Sequence, residues 1–503
     1  MSENPVAEVD GITTCMGFKI QVHPEWNTKL RRTDFLTINH ENQNFLLSIQ
    51  KIWRDNGQLY AQVRVLGEIP KTPFQQKPIY LAAPHEIQTI LQLEKEPRHS
   101  LYLGNLISTH IPLYFQLDSF GRIFITGKSG SGKSYTVGVL VEELIKQHVP
   151  VVIIDRHAEY SSLKVVIEQE FPKDEPFFQI EDPAVAFANH IVEFADKTYN
   201  PNADLDLDYL YLAPPEELVT HGQCIIINLR GLSIENQKKI VLKLLHSLYE
   251  EGSKGKIPPY FLFIDEAHEF CGKQKDPLSD VVRLISMEGR KFGMNLAIIT
   301  QRPQALDVNI RSQAGTWIIH KLTDLNDINI TCKSAEGLSL KEDEEIIQML
   351  NPGESIIAGE IVPFNPIQIQ IRKRYTLHGG AGFNITDLVP DAELFSISPL
   401  IRQLRNATSP DKLSNAHERR TSKILTLTEY ESLSNSLVEE RDHLMEIIEE
   451  KTRQIEILKK ENLDLFNKQK TLREELQKQK KRAEEAVDIA ERTLSELKQS
   501  KGM

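Results

Sequence analysis

The chain has 503 residues, a length that predicts about two to four domains rather than one compact core. Hydrophobic residues make up 40% of it and charged residues 26%, which excludes a chain that is disordered throughout. The sequence has no run of about 18 apolar residues and no basic or apolar signal region at its N-terminus, so neither a transmembrane helix nor a signal peptide is predicted. The net charge of −12 argues weakly against nucleic acid as a partner. A ring that contacts phosphates only in its central channel, however, needs basic residues only there.

The four cysteines, Cys15, Cys224, Cys271 and Cys332, lie far apart in the sequence. Their spacing forms no metal-ligand pair, and each is expected to be a small buried apolar residue. So few cysteines in so long a chain predict a reducing, cytoplasmic environment.

Residues 1–95 are predicted to form a small β-barrel. Short segments with strand composition are separated by turn sequences such as NHENQN and RDNGQ; these segments are GFKIQV, DFLTIN, FLLSIQKIW, LYAQVRVLG and PIYLAA. Several short strands at this spacing are typical of a barrel.

Residues 96–395 are predicted to form an α/β domain. Continuous apolar strands alternate with amphipathic helices, and such strands fit a parallel sheet that helices cover on both faces. The strands are RIFIT, VPVVIID, QCIIINL, PYFLFID and LAIIT. Residues 161–221 interrupt this alternation with acidic residues and prolines, and we predict a helical insertion there.

The C-terminal part is predicted to be a linker or brace over residues 396–430 and a coiled coil over residues 431–503. Leucines recur at heptad spacing at Leu437, Leu444, Leu458, Leu465 and Leu472. A second apolar series follows four residues on, and Glu and Lys fill the flanks, which together favour a coiled coil. The alternative is a single charged helix lying on the body of the protein.

A glycine-rich motif predicts a nucleotide site. It follows the strand RIFIT and opens the helix YTVGVLVEELIKQ, the context that a P-loop requires. Its backbone N–H groups are expected to cradle phosphate, with Lys133 reaching the β- and γ-phosphates and the Ser134 hydroxyl binding Mg²⁺. The predicted ATP-binding residues are Gly127, Lys128, Ser129, Gly130, Ser131, Gly132, Lys133, Ser134 and Tyr135.

Two acidic residues end the strand FLFI. Asp265 is expected to hold Mg²⁺, partly through water, and Glu266 to orient the attacking water. This pairing marks the P-loop class that has an extra strand between the two motifs, and QCIIINL fits that strand. The tetrapeptide Asp-Glu-Ala-His also suggests a DEAH-box helicase, but the later motifs of those enzymes are missing. His268 is therefore interpreted as a structural residue.

The strand LAIIT ends in Thr300-Gln301-Arg302-Pro303. A polar amide at the tip of a central strand can sense the γ-phosphate or hold the attacking water, so Gln301 is the candidate sensor. The alternative is a loop amide that bonds to backbone.

These motifs together resemble the HerA family within the HerA–FtsK group of translocases. The matching pieces are GKSGSGKS, DRHAEY at residues 155–160, IDEAHEF, EGRKFG at residues 288–293, TQRP and the following Ser312-Gln313. The likeness covers about residues 10–395, including an N-terminal barrel. It implies a RecA-like P-loop NTPase core.

The resemblance also implies a homohexameric ring that pumps duplex DNA, often beside a nuclease such as NurA, with each ATP site between subunits. By that analogy Arg290 stabilises charge developing on the γ-phosphate, either in its own subunit or across the interface. The family tends to carry a further arginine before the P-loop strand, and here Arg122 is displaced from that slot by one position. Ala158 stands where the family usually has glycine, which predicts a perturbed loop.

The leading hypothesis is therefore a hexameric ATPase that moves along double-stranded DNA, with no membrane partner. The candidate channel residues are Lys273, Lys275 and Arg311. A second hypothesis is a regulatory or scaffold ATPase that assembles an effector, such as an anti-phage nuclease complex, through its coiled coil. A third is a type IV secretion-type ATPase, which the absence of a predicted membrane anchor disfavours.

Overall fold

The computed structural model describes residues 4–93, 99–167, 186–273, 276–362 and 366–379. The coiled coil predicted over residues 431–503 and the linker over 396–430 lie outside these ranges. None of the helices within them is long and apolar enough to cross a membrane.

The N-terminal strands form a closed barrel, as the sequence predicted, in the order β1-β2-β5-β4-β3-β6. Its strands are β1 (Ala7–Thr13), β2 (Gly17–Val22), β3 (Phe35–His40), β4 (Gln43–Asp55), β5 (Gln58–Leu66) and β6 (Pro78–Leu81). Buried and outward-facing side chains alternate along the strands, and the buried ones form the barrel core. On β2, for example, Phe18, Ile20 and Val22 are buried while the residues between them face outwards.

Helix α1 (Pro84–Ile90) follows the barrel, and the remaining strands form one twelve-stranded sheet. Its strands are β7 (Ser100–Leu106), β8 (Pro112–Gln116), β9 (Ile123–Thr126), β10 (Val151–Asp155), β11 (Ile191–Ala195), β12 (Leu205–Asp206), β13 (Cys224–Asn228), β14 (Tyr260–Ile264), β15 (Met294–Thr300), β16 (Thr316–Ile319), β17 (Glu354–Gly359) and β18 (Ile367–Ile371). The order is β12-β11-β13-β10-β14-β15-β9-β16-β17-β18-β7-β8.

The sheet is mixed, which corrects the prediction of a parallel sheet. The first eight strands of this spatial order, from β12 across to β16, run parallel. The last four, β17, β18, β7 and β8, add antiparallel pairs at one edge. The antiparallel hairpins β7–β8 and β17–β18 need no crossover helix, so the alternation of strand and helix that the sequence displays does not extend to them.

The order of strands also corrects the assignment of the extra strand. Strand β15 separates β9, which precedes the P-loop, from β14, which precedes Asp265. Strand β13, from the segment QCIIINL, lies on the far side of β10. All these strands are long apolar runs, so their sequence does not reveal which of them are neighbours.

Helices cover both faces of the sheet. On one face α2 (Lys133–Lys146) buries Val137, Leu140 and Leu144. On the other face lie α4 (Ile234–Ser253) and α5 (Pro277–Glu288). The shorter helices are α3 (Pro215–Leu218), α6 (Val308–Arg311), α7 (Leu325–Ser334) and α8 (Leu340–Met349).

The described part of residues 161–221 differs from the predicted helical insertion. It contributes β11, which pairs in parallel with β13, the short strand β12, and turns of 3-10 helix, with α3 as its one short α-helix. The acidic residues and prolines of this stretch lie partly in the turns at the sheet edge, whereas the core strand β11 carries the apolar sequence IVEFA.

The barrel contacts the α/β domain through ion pairs, of which Arg64 with Asp343 is buried. Arg64 on β5 lies 3.1 Å from an Asp343 carboxylate oxygen and also pairs with Glu342, both on α8. Lys51 of β4 pairs with Glu345 at 3.2 Å. Three of the four cysteines are buried and Cys15 is half-buried, and all are free thiols.

Candidate nucleotide-binding site

The carboxyl ends of three central strands bring together three of the four predicted catalytic residues, Lys133, Glu266 and Gln301. Thr126 at the end of β9 is in register with Thr300 at the end of β15, so Gly127 and Gln301 leave the sheet side by side. Ile264 at the end of β14 pairs with Ile298, which places the next two acidic residues beside the same edge. Ligands of open α/β sheets bind at this edge.

The P-loop has the backbone geometry that its glycines allow. Gly130 and Gly132 adopt φ values of +71° and +110°, which favour glycine. The Ser131 hydroxyl donates to the Lys128 carbonyl at 2.7 Å, and the Lys128 N–H donates to the Lys321 carbonyl at 2.7 Å. The loop is therefore fixed internally and to the segment after β16, just before α2 begins and presents its unpaired N–H groups.

A side chain at Gly127 has no room. A Cβ atom there would lie 2.5 Å from the Ser131 hydroxyl and 2.6 Å from the Cβ of His320. His320 is buried at the end of β16, and its Nδ1 lies 3.0 Å from the Glu354 carbonyl while its Nε2 lies 3.0 Å from the Thr136 hydroxyl. Because a carbonyl only accepts, Nδ1 must carry the proton and Nε2 must accept from Thr136.

Lys133 is the cation of the site. Its side chain is buried, and Nζ donates to the Lys128 carbonyl at 3.1 Å. Burial lowers the pKa of Lys133, while the negative charges of Glu266, Asp265 and Glu159 act in the opposite direction. The ammonium is therefore pre-positioned within the loop and faces a group of carboxylates.

Those carboxylates crowd one another. Burial raises the pKa of Asp265 well above its usual range, and the neighbouring charges of Asp155, Glu266 and Glu159 raise it further. Burial likewise raises the pKa of Asp155 to about 7. The Asp155 carboxylate accepts backbone N–H bonds from the loop that follows β10, from His157 at 3.1 Å among others.

Within that loop, Ala158 keeps the left-handed conformation at φ +63°. This conformation explains the preference for glycine at the corresponding position of the family that the sequence resembles. The alanine therefore strains the loop without removing it, because the hydrogen bonds to Asp155 hold the backbone in place.

The donor set fits Mg²⁺. Asp265 is a buried carboxylate among other carboxylates with one lysine nearby, so a bound cation would relieve its electrostatic cost. Within the described ranges, no group of three or more His, Cys, Asp or Glu residues could hold a metal ion. Asp265 and Ser134, in the first turn of α2, are the residues that would hold Mg²⁺. An Mg²⁺ ion held there would supply positive charge to offset that of the phosphate groups.

Glu266 is held in an unusual backbone conformation at φ +45°, and such outliers cluster at functional sites. Burial acts to raise its pKa, but the pKa is lowered because His268 and Lys133 favour the carboxylate. Its Oε2 is buried and accepts no well-directed hydrogen bond from the described residues, although Nδ1 of His268 lies 3.2 Å away. A carboxylate kept ionised and largely unengaged is suited to accept a proton from water.

The other predicted residues occupy different parts of this edge. Gln301 is half-buried at the tip of β15, and Ser129 lies exposed in the P-loop. Tyr135 points towards the segment after β18, since its hydroxyl accepts the Arg374 N–H at 2.8 Å and its ring lies 5.4 Å from the ring of His378.

Arg290 lies at the amino ends of the parallel strands, opposite the end that carries the P-loop. It is exposed in the 3-10 turn before β15, and its guanidinium carbon lies 3.9 Å from the position of a Gly121 Cβ atom. Burial lowers the pKa of Arg122, and the positive charge of the nearby Arg290 lowers it further. Arg122 and Gly127 flank the whole of β9, a separation of about 15 Å, so Arg290 does not reach the P-loop of its own subunit.

One candidate channel residue is wrong. Arg311 is buried, and its guanidinium donates to the Pro303 carbonyl at 2.9 Å and to the Ser334 hydroxyl at 3.2 Å, so it stabilises the loop after β15. Lys273 is exposed, and Lys275 lies outside the described residues.

Neither His320 nor the segment after β18 was predicted from the sequence. The signal for His320 was a polar residue directly after the apolar strand TWII. In the second case, Arg372 pairs with Glu142 at 2.8 Å and with Glu143 at 2.6 Å on α2. These partners are about 230 residues apart in sequence, and no local pattern connects them.

Comparison with known proteins agrees with this geometry. A family model described as "Helicase HerA, central domain" matches residues 101–216. The chain is 26% identical over 407 residues to the DNA double-strand break repair helicase HerA of Saccharolobus solfataricus, covering 64% of this chain and 80% of that protein. It is 27% identical over 357 residues to the protein of the same name from Sulfurisphaera tokodaii, covering 57% and 71%.

Among solved structures, the chain is similar to VirB4 of Thermoanaerobacter pseudethanolicus, with 14% identity, a TM-score of 0.38 and coverage of 55% of this chain and 97% of that one. That likeness is too weak to carry an argument. The matched family model, the related HerA proteins and the P-loop site identify the chain as a HerA-like P-loop ATPase.

Proposed function

We propose that this protein is an ATP-hydrolysing ring motor that translocates along or unwinds double-stranded DNA. It acts as a homohexamer, together with a nuclease, in end processing, repair or defence. The observation that carries the proposal is the separation of Arg290 from Lys133, which lie at opposite ends of the parallel strands. Because Arg290 does not reach the P-loop of its own chain, it can act at an ATP site only if that site belongs to a neighbouring subunit, which a ring provides. The related DNA double-strand break repair helicases HerA support DNA as the substrate on which the motor acts.

In the proposed reaction, the P-loop amides and Lys133 bind the phosphates of ATP. Glu266 orients a water molecule and accepts its proton as the water oxygen bonds to the γ-phosphorus. The bond from the γ-phosphorus to the bridging oxygen breaks at the same centre, in line with the attack. Gln301, beside Gly127, contacts the γ-phosphate or the water. Arg290 of a second subunit stabilises the developing charge, an effect worth about 10³- to 10⁵-fold in rate where such arginines have been measured.

A second candidate function is a scaffold ATPase that uses nucleotide to assemble an effector. The net charge of −12 favours it, because a DNA channel requires a local excess of positive charge. The burial of Arg311 also removes one of the residues expected to supply that charge. Under this function, ATP hydrolysis would not depend on DNA.

The two functions are separated by the steady-state ATPase rate with and without linear duplex DNA. The motor predicts strong stimulation by duplex that falls as salt rises, because phosphate contacts release counterions. Glu266→Gln and Lys133→Ala serve as controls and should abolish the stimulated rate. Hydrolysis that is robust but indifferent to duplex would reject the motor and favour the scaffold.

A further inference from the structure

His268 lies between Glu266, the proposed base, and the tip of the neighbouring strand β15. Its Nδ1 is 3.2 Å from Oε2 of Glu266 and 3.1 Å from the Thr300 hydroxyl oxygen. We propose that His268 is a positioning residue that couples the tip of β15 to Glu266, so that the imidazole orients the carboxylate towards water only when the tip engages ATP. This inference rests on the role of Glu266 in hydrolysis proposed above, but it does not require DNA.

The hydrogen-bonding capacity of the three groups allows two alternative arrangements. The Thr300 hydroxyl oxygen already accepts the Arg302 N–H at 3.0 Å, so its own proton is available to Nδ1 of a neutral imidazole. In that state His268 carries its proton on Nε2, which faces Glu269 at 3.8 Å, and Glu266 receives nothing from it. In the other tautomer Nδ1–H donates to Glu266. One ring nitrogen thus serves one partner at a time.

The position of Thr300 connects this choice to the nucleotide. Thr300 pairs with Thr126 immediately before the P-loop, and the residue after Thr300 is Gln301, the candidate γ-phosphate sensor. A shift of the strand tip on contact with phosphate changes the distance from the Thr300 hydroxyl to Nδ1. The same shift therefore changes which of the two partners His268 engages.

Packing alone does not account for this arrangement. The His268 side chain is nearly buried, with 9% exposed, yet both of its ring nitrogens face polar atoms rather than apolar side chains. Glu266 holds its left-handed conformation in the same turn, and such strain persists only where the surroundings determine it.

The test compares His268→Asn with His268→Ala in the full chain. The asparagine amide occupies nearly the position of Nδ1 and is able to bond to either partner, whereas alanine bonds to neither. We expect alanine to lower kcat for ATP hydrolysis about 10- to 100-fold, the range for lost outer-shell partners. The affinity for a fluorescent non-hydrolysable ATP analogue and the melting temperature should stay close to wild type. Asparagine should restore most of the lost rate.

Two further variants show whether His268 acts through its proposed partners. Thr300→Val removes the competing partner and leaves His268 free to bond to Glu266, so it should cost much less kcat than His268→Ala. Adding His268→Ala to Glu266→Gln should cause no further loss, because residues acting as a unit are not additive. Equal damage from asparagine and alanine, a wild-type rate for alanine, an additive double variant, or lost analogue binding would each overturn the inference. All rates are taken without DNA, so a failure of duplex stimulation would reject the motor alone.

Discussion

The guanidinium of Arg374 lies directly against Gly138 in the middle of α2. A Cβ atom at Gly138 would stand 2.5 Å from the guanidinium carbon and 2.7 Å from two of its nitrogens. Arg374 is itself buried, with Nε 3.6 Å from a Glu142 carboxylate oxygen one turn further along the helix. The glycine therefore allows the segment after β18 to pack onto the helix that carries the P-loop.

Gly138→Ala should destabilise the protein by about 1–3 kcal/mol, as overpacking does, although alanine ordinarily favours a helix by about 1 kcal/mol. Urea denaturation measures the change. Gly252→Ala in α4 is the matched control, because its Cβ atom would meet only flexible side-chain ends of Met294 and Ile257, at 3.2 and 3.4 Å. A Gly138 variant as stable as the Gly252 variant would contradict the packing described here.

Ala158→Gly should stabilise the protein by roughly 0.5–1 kcal/mol. Alanine pays about 1–2 kcal/mol for a left-handed conformation, and the greater freedom of glycine in the unfolded chain offsets part of the gain. The comparison is made by chemical denaturation of nucleotide-free protein. A loss of stability would mean that the alanine methyl group packs in a way that outweighs the strain at φ +63°.

His320 should make stability fall in acid. Burial lowers its pKa from 6.5 to about 4, so below pH 6.5 the unfolded chain takes up a proton that the folded protein does not. The contribution is complete above about pH 6.5 and is lost as the pH falls towards 4, by about 2 kcal/mol between pH 6.5 and pH 5. His320→Asn, which retains a donor for the Glu354 carbonyl, should lose correspondingly less stability over that range.

Asp155 acts with the opposite sign. Its raised pKa of about 7 gives stability that is complete below about pH 4 and lost as the pH rises towards 7. The measurement is therefore the difference between wild type and His320→Asn at pH 7.5 and pH 5, in which Asp155 cancels. His246→Asn on the exposed face of α4 controls for the loss of an imidazole. Parallel pH curves for wild type and His320→Asn would refute the assignment.

The sequence predicted the P-loop and the acidic strand because each is a local pattern with a fixed chemical role. Lys133 must follow the glycines and Asp265 must end an apolar strand, and both rules read directly from neighbouring residues. The barrel followed in the same way from short alternating strands. Residues whose role depends on distant partners could not be predicted in this way. His320 contacts Gly127 and Glu354, and Arg372 contacts α2.

Spatial order was the other limit. The runs CIIIN in β13 and MNLAIIT in β15 are equally apolar, so either satisfies the pattern of a buried central strand. Only the pairing of β15 with both β9 and β14 decides between them. Arg311 shows the same limit for charge, since its side chain is satisfied by the Pro303 carbonyl and not by a phosphate.

The claim that a second subunit completes the ATP site is tested most directly by mixing two inactive variants. Lys133→Ala destroys the site of its own subunit but keeps the arginine, and Arg290→Ala does the reverse. Differently tagged chains are co-expressed, purified through both tags and assayed for ATP hydrolysis. If Arg290 acts on a neighbouring subunit of a closed ring, random mixing leaves about a quarter of the sites with both groups intact, and about that share of the wild-type rate returns. If the mixed protein stays as inactive as either variant alone, the arginine does not act across an interface and the account is wrong.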